Sequence, residues 1–239
     1  MGDALLSQKA LIALGLSTSH LVDCAPSVQL DPATRDAFAA LAHRAANAGF
    51  SLRIASGFRD YDRQMQIING KWDGRRPVTD AQGVTLSRPS QPDEDWLHSI
   101  LRYSALPGTS RHHWGTDLDI WDAAAVDADY ALRLDPGEYS PGGVFSDMTQ
   151  WLDEQIAADN AEGFHKPYVA DRGGVAPEAW HISYRPGAEG YLSEIAAERL
   201  LPLWRGEPDP LGNMHEPLTM LHVVEPRIEA LLNQYVGPQ

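Results

Sequence analysis

The chain has 239 residues, 43% of them hydrophobic, which is enough to bury a sizeable core and excludes global disorder. Its 19 basic against 33 acidic residues give a formal net charge of −14; that balance argues against a nucleic-acid binder and against docking on an anionic membrane. The single cysteine, Cys24, excludes an intramolecular disulfide and a cysteine-based zinc site, so any metal falls to His, Asp and Glu.

The N-terminal stretch "MGDALLSQKALIALGLS" lacks a basic region, a long apolar run and a small-residue cleavage site. The expected location is cytoplasmic as the sequence stands, or periplasmic or extracellular if an export signal has been removed. No apolar run reaches membrane-spanning length, so no membrane insertion is expected. Residues 31–49 carry helix punctuation: Asp31 as cap, Pro32 in the first turn and Gly49 at the stop. "FSLRIAS", 50–56, alternates like a strand, and "DYDRQMQIINGKW", 60–72, reads as a helix. Residues 73–109 are rich in Pro, Gly, Asp and Ser, and predict a long loop with a short helix near "DEDWLHSILRYSA". "DLDIW", 117–121, reads as a strand, and a helix is expected over about Phe145 to Asn160. A loop and short strand end near "WHISY"; one helix follows in "PGAEGYLSEIAAERLLPLW" and one or two in "PLTMLHVVEPRIEALLNQY". Strands and helices mix without regular βαβ alternation, which predicts an α+β fold. The whole chain, 1–239, is expected to be a single domain, with a core over about 31–199 and a helical extension over 200–239.

Chemistry concentrates in three stretches. In "SRHHWGTDLDIWD", 110–122, a strand would put Asp117 and Asp119 on one face and Leu118 and Ile120 on the other. Gly115 permits a bend that brings His112 over Asp119, and zinc accepts an imidazole and a carboxylate together. In "PEAWHISY", 177–184, Glu178 and His181 are three apart, which places them on one face of a helical turn but on opposite faces of a straight strand. With His181 as third ligand, the set has the layout of a catalytic zinc site with one open position, and Glu178 is the expected general base. In "ASGFRDYDRQ", 55–64, Arg59 follows a strand end, where its guanidinium can stabilise an oxyanion or clamp a carboxylate.

Together these motifs resemble the LAS group of zinc peptidases, particularly the VanY-type D-alanyl-D-alanine carboxypeptidases. That pattern runs S-G-[YF]-R, S-x-H-x-x-G-x-A-x-D and E-x-W-H. The chain has Ser56-Gly57-Phe58-Arg59, then Ser110, His112, Gly115 and Asp119, then Glu178-Ala179-Trp180-His181. The resemblance implies one zinc ion held by His112, Asp119 and His181, Glu178 as the base, and Arg59 as the stabiliser of the tetrahedral intermediate. It places Gln64 and Ser110 near the substrate, and it implies a small antiparallel sheet that carries the zinc and is flanked by helices. The expected function is removal of a C-terminal D-alanine, by a D,D or an L,D cut, from peptidoglycan-type peptides.

Asp117 departs from the pattern, which has a small residue there; orienting a histidine, replacing a substrate contact and simple solvation are all open at this point. Bland readings stand beside the others. Glu178 can be a solvent-facing acid, and Arg59 can pair with Asp60 or Asp62. Trp114 and Trp180 suit packing better than cleft lining, and His113 is a bystander because adjacent side chains diverge. The loop around Tyr168 is placed to cover the cleft. Two rival functions share the site: a peptidoglycan endopeptidase, and a non-catalytic zinc-containing binding module, which has no need of Glu178 or Arg59.

Overall fold

The helix α1 (Gln8–Ala13) starts where the Ser7 hydroxyl accepts from the Ala10 amide. A short hairpin follows, β1 (Val22–Ala25) with β2 (Val28–Leu30). In this computed structural model residues 6–88 and 91–237 are described. The cap expected at Asp31 is present, and the structure adds one at Asp60. Asp31 accepts from the Ala33 and Thr34 amides at the start of α2 (Pro32–Asn47), and Asp60 accepts from Arg63 to start α3 (Tyr61–Trp72). Between them runs β3 (Leu52–Ser56). On α3 the buried face carries Tyr61, Gln64, Met65, Ile68 and Trp72, at helical spacing. The helix α4 (Asp93–Leu101) has three acids in its first turn, which suits the helix dipole.

The centre of the fold is β4 (Asp117–Asp122), preceded by a 3-10 turn at Arg111–Trp114. That turn ends on Gly115 in the left-handed region, φ 71°. A Cβ there would lie 2.5 Å from Leu21 Cδ2 and 2.9 Å from the Asp31 amide nitrogen, so only glycine fits. Next come α5 (Pro136–Tyr139), α6 (Ser146–Ala157), β5 (Phe164–His165) and β6 (His181–Tyr184). The chain closes with α7 (Arg185–Ala188), α8 (Ala197–Trp204), α9 (Leu221–Val224) and α10 (Ile228–Tyr235). The single helix expected over 186–204 is replaced by two short ones: Gly190, at φ 84°, sits between them.

Four strands form an antiparallel sheet in the order β3-β4-β6-β5. The fold is α+β, helices against a small antiparallel sheet. One face of the sheet carries Leu118, Ile120 and Ile182 into a core shared with α2 and α6, through Phe38, Leu41, Met148 and Leu152. A second core, without strands, joins Leu14, just after α1, and the helices α3 and α4 to α8, α9 and α10. Leu200, Trp204, Val224 and Leu231 belong to it, so the described part of the expected extension, 200–237, contributes core residues rather than lying on the surface. Each such large side chain contributes roughly 1.5–3 kcal/mol on burial. Among the described residues no helix is long and apolar enough to cross a membrane.

Candidate active site

The other face of the sheet is charged and still buried. Asp117 and Asp119 stand two apart on β4, and in register beside them on β6 are Ser183 and His181. Directly paired residues share a face, so Asp119 and His181 form one row and Asp117 and Ser183 the next. His112 is brought in by the 3-10 turn that Gly115 terminates. Ligand atoms of His112, Asp119 and His181 lie within 4.8 Å of one another, and all three residues are buried. His112 Nε2 is 3.4 Å from Asp119 Oδ2, and His181 Nδ1 is 3.2 Å from Asp119 Oδ1.

The opposite ring atoms are already committed. His112 Nδ1 donates to the Gly57 carbonyl at 2.9 Å, and His181 Nε2 donates to Asp117 Oδ1 at 3.0 Å. These bonds leave His112 Nε2 and His181 Nδ1 as the atoms turned toward Asp119. Asp119 Oδ1 is buried without a hydrogen-bond partner. Two imidazoles and one carboxylate, with an oxygen left unsatisfied, form a donor set that fits a divalent cation such as zinc. The electrostatics suit Asp119 and His112 as ligands, whereas His181 must give up a proton to bind a cation. Burial favours the neutral form of Asp119, but His112 and His181 outweigh it and hold the carboxyl far below its usual range. Burial pushes His112 down, which keeps its imidazole neutral as a ligand must be. For His181 burial is outweighed by Asp117 and Asp119, and its pKa rises to about 10.

Asp117 is therefore neither solvated nor bound to substrate. It is fully buried, accepts from Arg111 Nε at 2.7 Å, and takes further bonds from the Thr116 and Ser183 hydroxyls. It orients His181 and is itself oriented.

Glu178 and His181 are joined by a tight turn before β6, not by a helical turn: the His181 amide donates to the Glu178 carbonyl at 3.2 Å. The result is the same closeness, with Glu178 Oε2 3.5 Å from His181 Nδ1. Burial pushes the Glu178 carboxyl up to about 7, so it is poised to exchange a proton near neutral pH. Arg59 does not pair with Asp60 or Asp62. It donates to Gln64 Oε1 at 2.9 Å and to Ser56 Oγ at 3.1 Å, while its carbonyl accepts from His113 Nδ1 at 2.6 Å. His113 is buried and structural. Gln64 gives its amide to the Ala105 carbonyl at 2.6 Å, so both of its ends are engaged. The Ser110 hydroxyl makes no hydrogen bond within the described residues. Trp180 packs on Tyr103 and Tyr139, and the Trp114 indole donates to the Ala13 carbonyl.

Two further residues reach the site. The Tyr168 ring stands edge-on to His181, centroids 5.2 Å apart, and the Tyr168 carbonyl accepts from the Glu178 amide. Lys71, one helical repeat of seven after Gln64 on α3, feels the charges of Glu178 and Arg59; burial pushes its pKa down to about 8. Its ammonium donates to Ser104 Oγ at 2.6 Å. The seven-residue spacing from Gln64 was the available signal for Lys71.

Three residues that could hold a metal ion thus lie beside a buried acid on one face of a small antiparallel sheet. Residues 27–187 match the model of the VanY family, D-alanyl-D-alanine carboxypeptidase, and the chain belongs to that family. It is 36% identical over 104 residues to an uncharacterized protein of Haemophilus influenzae, covering 43% of this chain and 77% of that one. It is 30% identical over 134 residues to a D-alanyl-D-alanine carboxypeptidase of Enterococcus faecalis, covering 55% of this chain and 39% of that longer protein. Among solved structures it is similar to VanYB in complex with D-alanine-D-alanine, with a TM-score of 0.49 and 21% identity over 77% of this chain and 89% of that chain.

Proposed function

We propose that this protein is a zinc-dependent carboxypeptidase that hydrolyses the C-terminal D-alanine from peptidoglycan-type peptides, its 239 residues acting as one peptidase domain. The observation that carries the reading is the convergence of His112, Asp119 and His181 within 4.8 Å, beside a glutamate raised to about 7. Family membership supplies the substrate class.

His112 Nε2, one Asp119 oxygen and His181 Nδ1 would hold the ion. Bound there, zinc lowers the pKa of water and polarises the scissile carbonyl. Glu178 takes the proton of the attacking water and returns it to the departing amine. A carboxyl near 7 accepts and releases protons with little driving-force penalty at neutral pH. Arg59, fixed by Gln64 and Ser56, donates to the carbonyl oxygen as negative charge develops there. Gln64 thus acts on the substrate through Arg59, while Ser110 offers its unengaged hydroxyl directly. Asp117 and Arg111 hold His181 in place.

The test is D-alanine release from muramyl pentapeptide and tetrapeptide by zinc-loaded protein. Release from either supports the reading and assigns the D,D or L,D cut; none from either overturns the substrate assignment. Glu178→Ala is expected to abolish turnover while zinc stays bound. Loss of zinc from that variant would make Glu178 a ligand instead.

A further inference from the structure

Beside the metal row, the same face of the sheet continues to its edge. Register pairs His165 of β5 with Ser183 of β6, and Ser183 with Asp117 of β4. His165 therefore lies on the charged face, in the row next to Asp119 and His181. Over this edge opens a cavity of about 350 Å³, whose walls include Arg111, His165, Tyr168, Arg185, Leu192 and Tyr235. None of its lining residues is acidic, in a chain whose net charge is −14.

The cations in this cavity are not equally answered. Arg111 is bound to Asp117 and Ser183, and Lys166, also in the wall, to Asp153. Arg185 makes no salt bridge and no side-chain hydrogen bond among the described residues. His165 Nδ1 is buried and has no hydrogen-bond partner. The His165 pKa is pushed down first by burial, then by Arg185 and Arg111 together, so the fields of both guanidiniums meet at this ring. Leu192 and Val169, both exposed, supply an apolar rim. An exposed guanidinium without a paired acid, an unsatisfied buried nitrogen and an apolar rim suit a ligand with an aliphatic stem and a carboxylate.

Tyr168 links this cavity to the metal centre. Its ring faces His181 and also forms part of the cavity wall. The two rows are two residues apart along the strand, roughly 7 Å. A carboxypeptidase has a single residue on the leaving side, so a subsite at this remove meets the peptide before the bond that is cut.

We propose that this cavity is a subsite for a free side-chain carboxylate on the stem peptide, borne by the residue that precedes the terminal D-alanines, with Arg185 as its principal partner. The inference rests on the peptidase reading above. It makes the enzyme selective for a diamino acid that carries a carboxylate at its side-chain end over one that lacks it.

Two synthetic pentapeptides test it: L-Ala-γ-D-Glu-X-D-Ala-D-Ala, with X either meso-diaminopimelate or L-lysine. The zinc-loaded protein is expected to show a KM about tenfold lower for the diaminopimelate peptide, the scale of one charge-assisted pair in a partly exposed site. Arg185→Ala should bring the two KM values together, and Arg185→Lys should restore part of the gap. Equal KM values in the unmodified protein, or a gap that survives Arg185→Ala, overturn the proposal. Calorimetry with the same peptides reads binding apart from turnover. If neither pentapeptide is cut, the same comparison is made with the two tetrapeptides L-Ala-γ-D-Glu-X-D-Ala; if none of the four is cut, the peptidase reading fails, and the subsite stands or falls on whether binding needs both the carboxylate and Arg185.

Discussion

Two histidines in this molecule each sit between two aspartates, and the two sites are built for different ends. His181 places Nε2 3.0 Å from Asp117 and Nδ1 3.2 Å from Asp119. His215 places Nδ1 2.7 Å from Asp62 and Nε2 3.3 Å from Asp209. By composition and distance the triads are near twins. In each, the aspartates approach opposite ring nitrogens, so they cannot meet at one point. At His181, however, the Nδ1 side is shared with His112 and Glu178, and the sheet buries the whole set. At His215, Asp62 has its side chain 59% exposed. Asp209 spends its carboxylate on the Leu211 and Asn213 amides and the Asn213 side chain. The first cluster gathers donors around a point; the second ties a loop to α3.

The sharpest way to break the comparison is to remove a donor from each. Asp119→Ala is expected to weaken zinc binding on the order of a thousandfold, since about 10–16 kcal/mol of structural zinc affinity is shared among roughly four ligands. His215→Ala should leave zinc affinity unchanged. Competition against a chromogenic chelator measures both, and equal losses would mean that the two clusters are not different in kind.

Asp117→Ala comes next. It removes the acceptor of His181 Nε2 and strands Arg111, whose side chain is largely buried. Breaking one partner of a buried pair costs about 3–5 kcal/mol, read by urea unfolding. Loss of an orienting carboxylate weakens metal affinity about 10–100-fold. Asp117→Asn keeps an acceptor for His181 and should lose less of both.

A smaller effect tests whether burial sets the first region apart. Burial holds the folded pKa of Lys71 near 8, below the ordinary 10.5. Between those values the unfolded chain binds the proton and the folded chain does not. Stability must therefore rise as pH climbs from about 8 to 10.5, and below 8 the buried ammonium carries its full cost. Lys71→Met should stabilise the metal-free protein at pH 7 by about 1–3 kcal/mol, the shift being worth about 1.4 kcal/mol per pH unit. It should also flatten the slope above pH 8. A stability curve unchanged by the substitution would place Lys71 in water.

The same contrast explains what could be read from the chain alone. His112, Asp119, His181 and Glu178 were legible because local geometry brings them in: a 3-10 turn closed by Gly115, a strand period of two, and a tight turn before β6. The helix α2 was legible through Asp31, whose carboxylate acts within one turn. What stayed hidden depends on which faces meet in space. Gln64 appeared as a substrate contact, but its amide and carbonyl are consumed by Ala105 and Arg59. Asp117 was ambiguous until Arg111, six residues back, and Ser183, on another strand, closed around it. The β1–β2 hairpin escaped because "VDCAPSVQL" has a proline at its turn and little alternation. Two-residue β5 carries no period, and His165 gains meaning only from its register with Ser183.

The finest test is Asp62→Asn. This carboxylate is exposed, and its pair with His215 crosses from α3 to the loop after α8. Exposed pairs contribute about 0–1 kcal/mol, because water screens them and two side chains must be held in place. Asparagine keeps an oxygen that can accept from His215 Nδ1, so the expected loss is at the lower end of that range, with zinc affinity and turnover unaltered. The Asp209 side, bonded to backbone amides, should still hold the loop. A loss of several kcal/mol on denaturant unfolding would show that the His215 cluster is as tightly coupled as the His181 cluster. The difference between them would then lie only in the number of donors, not in burial.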